Sequence, residues 1–174
     1  MTISFEDKVV IITGAGGGLG RSHALEFAKR GAKVVVNDLG GSVDGSGGSS
    51  EAANNVVKEI TDAGGVAIPN GSSVTDDTGV KNMIDQTMDE FGRIDILINN
   101  AGILRDKSFS KMTMEDFTLV TDIHLMGSVK PTKMIWEIMK EQNYGRILVT
   151  TSSTGLYGNF GQSNYGAAKL GVVG

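Results

Sequence analysis

Short apolar runs alternate with amphipathic stretches along the 174-residue chain. Lys8-Val-Val-Ile-Ile-Thr13 and Lys33-Val-Val-Val-Asn-Asp38 are nearly continuous apolar segments, too short for helices. They read as strands buried on both faces. Residues 66–69, 93–98 and 145–151 repeat that signature more weakly and predict third, fourth and fifth strands. Between them, residues 18–29, 51–62, 76–91 and 114–140 carry apolar positions at helical spacing, and a last helix starts near Asn164. Gly31 and the pair Gly64-Gly65 stand where the first two helices must stop, and Asp76 and Asp77 favour the start of the third. Residues 39–50 are rich in Gly and Ser and form a loop. Pro131 lies inside the fourth helical stretch, where its missing N–H and its ring predict a bend.

Strands alternating with helices at this spacing imply a doubly wound parallel sheet of Rossmann type, with helices on both faces. There is no repeat and no internal boundary, so residues 1–174 read as one domain. Five strands are fewer than such a nucleotide fold usually has, and Gly174 falls where the last helix should still be running. The expectation is a C-terminally truncated front part of a longer chain, poorly folded and inactive alone.

Composition narrows the function. Hydrophobic content of 40% and charged content of 21% are those of a globular protein. A net charge of −4 without a basic block argues against nucleic acid or an anionic membrane as partner. No run approaches the roughly 18 apolar residues of a membrane span. The absence of cysteine removes disulfides and thiolate metal sites, and the Asp and Glu residues show no metal-ligand clustering. The expected location is cytoplasmic.

Two local patterns carry chemistry. Thr13-Gly-Ala-Gly-Gly-Gly-Leu-Gly20 joins the first strand to the first helix. Gly14, Gly18 and Gly20 let the backbone turn tightly against a pyrophosphate, which the helix N-terminus would bind. Asp38, ending the second strand, would accept hydrogen bonds from ribose hydroxyls and repel a 2′-phosphate, so the cofactor expected is NAD. The second pattern is Tyr165-Gly-Ala-Ala-Lys169, with Ser152 thirteen residues earlier. A Tyr and a Lys four apart share a helix face, and a lysine ammonium beside a phenol favours the phenolate. A serine hydroxyl could hold a substrate oxygen against that phenol, giving an acid/base device for making or breaking a carbonyl.

These motifs, with Asn99-Asn-Ala-Gly102, resemble the classical short-chain dehydrogenase/reductase family over the whole chain. Val36-Asn-Asp-Leu-Gly-Gly41, Asn99-Asn-Ala-Gly-Ile-Leu-Arg-Asp106 and Leu156-Tyr-Gly-Asn-Phe-Gly-Gln162 further resemble its (3R)-hydroxyacyl-CoA dehydrogenase branch, the units found in peroxisomal multifunctional β-oxidation enzymes. The resemblance implies Tyr165 as general acid/base, Lys169 beside it on the nicotinamide ribose, and Ser152 on the substrate oxygen. Leu19 would lie against the pyrophosphate turn, Ser73 and Val74 against adenine, and Asn100, Ala101 and Gly102 along the adenosine ribose. Many members carry Asp at the position of Ser73. Most carry Asn at the position of His124 and use it in a proton relay through a bound water; His124 could bond that water or merely fill the site. The implied activity is hydride transfer between NAD and a 3-hydroxyacyl-CoA/3-oxoacyl-CoA pair. The partners implied are an acyl thioester substrate and further copies of the chain, as a homodimer or homotetramer. In a eukaryote the location would be peroxisomal. A 3-oxoacyl-carrier-protein reductase, a non-catalytic dinucleotide sensor and an inactive fragment are the alternatives.

Overall fold

The computed structural model describes residues 3–46 and 51–174. Five parallel strands form one sheet in the order β3-β2-β1-β4-β5, with β1 Val9–Thr13, β2 Lys33–Asn37, β3 Val66–Asn70, β4 Ile96–Asn99 and β5 Arg146–Val149. In the central strands successive side chains enter opposite cores. Val10, Ile12, Val34, Val36, Ile96 and Ile98 face one side, where α1 (Gly18–Lys29) and α2 (Glu51–Asp62) cover them. Ile11, Val35 and Leu97 face the other, against α3 (Asp77–Phe91) and the long helix that later supplies Ile135 and Met139. That two-sided burial is why β1 and β2 lack polar alternation. Of the helical methionines, Met83 and Met139 are buried in this second core and Met88 and Met134 pack against it.

The strand order reverses between β1 and β4, the point beside which open α/β sheets bind ligands, outside the carboxyl ends of the strands. The loop 39–46 follows β2 there, while the remainder of the expected loop, residues 47–50, lies outside the described residues. β5 is an edge strand: Ile147, Leu148 and Val149 remain between 36% and 49% exposed.

The stretch expected as one helix over 114–140 is two, α4 (Met114–Thr121) and α5 (Gly127–Glu141), joined by a π-helical turn at Asp122–Met126. The irregularity is therefore not at Pro131, which sits buried inside α5. The wide turn ends at Gly127, the residue whose carbonyl a proline at 131 would crowd, so the discontinuity lies one turn earlier. Gly127 also lets the helix approach Val74, since a Cβ there would stand 2.7 Å from the valine Cγ2. Two further elements went unanticipated: a 3₁₀ turn at Phe109–Lys111 and the short helix α6, Ser153–Tyr157. The last helix, α7, spans Ser163–Gly171 and is followed by a turn, so it does not run on to Gly174.

Candidate active site

A cavity of about 450 Å³ opens at the carboxyl ends of β1, β2 and β4. Its floor is the glycine loop. The Thr13 hydroxyl accepts the N–H groups of Asn100 and Ala101, both at 3.0 Å, which ties the end of β1 to the end of β4. The Asn100 amide donates to the carbonyls of Thr13 and Gly14, also at 3.0 Å. That closeness needs a glycine at 14: its φ is +63°, and a Cβ would lie 2.8 Å from Ala101 Cα. Gly20 packs the first turn of α1 onto the Gly14 carbonyl, whereas Gly18 has a φ of +51° and open space where a side chain would go. The N–H groups of that first turn have no partner within the helix and point to an anion site.

Asp38 stands directly against this loop. One carboxylate oxygen accepts the Gly16 N–H and the other the Gly40 N–H, each at 2.7 Å. Gly16 permits this, because a Cβ would sit 2.8 Å from the Asp38 carboxyl carbon. Asp38 thus joins the glycine loop to the loop after β2 and lines the cavity. Gly14, Gly18, Asp38, Ser73, Val74, Asn100, Ala101 and Gly102 all line the cavity. Leu19 lies outside it, 65% exposed, and Gly20 lies behind Gly14. Ile103, Ile123 and Val43 are wall residues that the sequence reading did not single out.

None of the four candidate catalytic residues lines this cavity; His124, behind Gly102 and Ile103, leads from it to Tyr165 and Lys169. On α7, the Lys169 ammonium lies 5.6 Å from the centre of the Tyr165 ring, within cation–π range. Lys169 is only 4% exposed and donates to the Thr150 carbonyl. Burial lowers its pKa to about 8. The Thr151 hydroxyl donates to the Lys169 carbonyl at 2.8 Å, so the end of β5 and α7 are tied twice. Ser152, the next residue, caps α6 by accepting the Thr154 N–H at 3.2 Å. α6 in turn packs on α7, where Gly155 meets the backbone of Leu170. The backbone thus ties Ser152 to the helix that carries Tyr165 and Lys169.

His124 sits in the π-helical turn, its ring perpendicular to that of Tyr165 at 5.1 Å. Its Nε2 faces the Ile103 backbone, 2.8 Å from the carbonyl oxygen and 3.2 Å from the N–H, donating to the first or accepting from the second according to tautomer. Nδ1 is buried and has no hydrogen-bond partner among the described residues. Burial, aided by the nearby Lys169 charge and opposed by the bond to Ile103, lowers its pKa to about 4, so the imidazole is neutral near pH 7. Gly102 is what admits the ring, since a Cβ there would lie 2.3 Å from His124 Cε1. Asn164 is a further residue the sequence reading passed over: fully buried, it accepts the Tyr165 N–H at 2.7 Å. Its position immediately before Tyr165, at a helix start, is the signal that could have drawn notice.

A nucleotide-type cavity thus leads through Gly102, Ile103 and His124 to a Tyr–Lys pair on one helix. The short chain dehydrogenase family pattern matches residues 8–174, and the chain belongs to that family. It is 59% identical over 174 residues to the peroxisomal multifunctional enzyme A of Dictyostelium discoideum, covering all of this chain and 39% of that protein. Identity to the peroxisomal multifunctional enzyme type 2 of Mus musculus is 55% over 172 residues, covering 99% of this chain and 23% of that protein. The chain thus spans well under half the length of these relatives. Among solved structures, 7α-hydroxysteroid dehydrogenase complexed with NADH and 7-oxoglycochenodeoxycholic acid superposes with a TM-score of 0.87 at 32% identity, covering 96% of this chain and 62% of that one.

Proposed function

We propose that the chain oxidises (3R)-hydroxyacyl-CoA thioesters with NAD as hydride acceptor, as part of peroxisomal fatty-acid oxidation. The observation that carries this reading is the short path from the cavity holding Asp38 to the Tyr–Lys pair: Gly102 and Ile103 line the cavity and touch His124, whose ring stands against Tyr165. The cavity fits a dinucleotide on its own terms. Gly17 and Gly18 leave open space at the N-terminus of α1, and Asp38 presents a carboxylate where an adenosine ribose would hydrogen-bond. A nicotinamide dinucleotide would supply the hydride chemistry. The protein's own task is then to hold the alcohol and accept one proton. Ser152 would donate to the substrate oxygen, and Tyr165 would act as the acid/base that takes the hydroxyl proton. The buried Lys169 ammonium would offset the negative charge at that step. His124, neutral and bonded to the Ile103 backbone through Nε2, would leave its Nδ1 free to pair with a water or substrate hydroxyl.

Asp38 favours NAD because a 2′-phosphate would meet its carboxylate. That separates the reading from a carrier-protein reductase supplied with NADPH. Among the described residues no helix is long and apolar enough to cross a membrane. Titration and steady-state assay test the proposal. Tighter binding of NAD than NADP, with turnover of a 3-hydroxyacyl-CoA, is expected. Equal affinity for both cofactors, or turnover only with NADPH and an acyl-carrier-protein thioester, would refute it.

A further inference from the structure

Away from the Tyr–Lys–Ser cluster, a second set of charged and polar groups runs from the cofactor cavity to the start of α7. We infer that Arg105, Asp116 and Asn164 form a positioning link that couples the 42–46 loop, one wall of the cavity, to Tyr165. The inference rests on the dehydrogenase reading for the role of Tyr165, though not for the link itself.

At the cavity end, the Leu104 N–H donates to the Val43 carbonyl at 2.8 Å and the Arg105 Nε donates to the Asp44 carbonyl at 2.6 Å. The other limb of the same guanidinium donates to Asp116 at 2.9 Å. Asp116 is 3% exposed, and its second oxygen accepts from Lys107 at 2.8 Å. Lys107 and Arg105 hold its pKa down at about 2, so the carboxylate is charged at any working pH. Asn164, wholly buried, donates to the Arg105 carbonyl at 3.2 Å, reaches the Asp116 carbonyl at 3.5 Å, and accepts from Tyr165 N–H.

Two features set this apart from ordinary stabilisation of α4 and α7. Thr113 already caps α4, so a first-turn carboxylate is not needed there, and Asp116 turns both oxygens toward side chains of the 105–107 segment. The residue preceding α7, Gln162, makes no capping bond, and the N–H at Tyr165 is instead held by a side chain fastened to Arg105. A buried amide persists only when its groups are paired, so Asn164 has one arrangement open to it. Arg105 is the member that touches both ends. A dinucleotide pressing on Val43 and Gly45 would thereby settle the position of the proton-accepting tyrosine before substrate enters.

Amide exchange in the intact protein, with and without NAD, reads the link independently of turnover. In the native protein NAD should slow exchange at the Tyr165 amide as well as in the 42–46 loop. In Arg105→Ala and in Asp116→Asn the loop amides should still respond while the Tyr165 response disappears. The same variants should lower kcat on the order of tenfold, the scale of losing a hydrogen bond to a charged group, with a smaller change in KM. Arg105→Lys, which keeps the charge but not the fork, should fall between them. An unaltered Tyr165 response in both variants would overturn the inference. So would an equal loss of protection at Ile11 and Ile12 of β1, which would mark a general stability role. If the native protein turns over no acyl-CoA substrate, the proposed reaction fails and the exchange result still decides the link.

Discussion

His124 should make the protein acid-sensitive in a window set by its burial. Its pKa falls from 6.5 to about 4 on folding, because the ring is desolvated and stands near Lys169. Between those values the unfolded chain binds a proton that the folded chain refuses. Stability is therefore full above the unfolded value and is lost as pH falls toward the folded one. With ~1.4 kcal/mol per pH unit, the loss is about 2 kcal/mol at pH 5 and about 3 kcal/mol near pH 4. That is a large part of a typical domain stability of roughly 5–15 kcal/mol. The perturbation is His124→Asn, which keeps a donor for the Ile103 carbonyl and removes the titrating ring. Urea unfolding followed by the single tryptophan, Trp136, at a series of pH values gives the curves. Carboxylates contribute to both proteins, so the informative quantity is the difference in pH dependence, not the absolute stability. The native protein should lose about 2 kcal/mol more than the variant between pH 7 and pH 5. Parallel curves would show that His124 titrates normally, and the neutral-imidazole assignment would fall with them.

Tyr165→Phe should lower kcat at least ~10²-fold, the scale of general acid/base catalysis, with NAD affinity nearly unchanged by titration. Near-normal turnover would remove Tyr165 from the proton step. Asp38→Ala combined with Leu39→Arg should turn the cofactor preference toward NADP. Asp38→Ala alone should weaken both cofactors, because it also releases Gly16 and Gly40. Gly102→Ala should destabilise by about 1–3 kcal/mol through the clash with the His124 ring. The loss should shrink in a His124→Asn background, and an unchanged melting temperature would contradict the close packing.

What could be read from the sequence is what local geometry encodes. The runs at Val9–Thr13 and Lys33–Asn37 announce strands covered on both faces because no polar alternation interrupts them. The spacing of Tyr165 and Lys169 becomes a shared face as soon as the segment is helical. Gly14 and Gly20 signal a tight loop, although only the folded chain shows that they clear Ala101 and the Gly14 carbonyl itself. Pro131 misled because a proline marks strain without saying where the chain relieves it, and here a π-helical turn ending at Gly127 stands one turn before it. α6 escaped notice because it is five residues long, too short for a period, and its cap is Ser152, a serine already claimed by the chemistry. The Arg105–Asp116–Asn164 link has no sequence signature. Its bond from Asn164 to Arg105 joins residues 59 apart, through a backbone carbonyl that any residue could supply. His124 belongs to the same kind. Its neutrality depends on burial where Gly102 admits the ring and on the Lys169 charge, against the opposing bond to Ile103, contributions from segments far apart in the chain. Motifs therefore mark the groups that meet substrate and cofactor, while the residues that set their protonation and position emerge only from the packing around them.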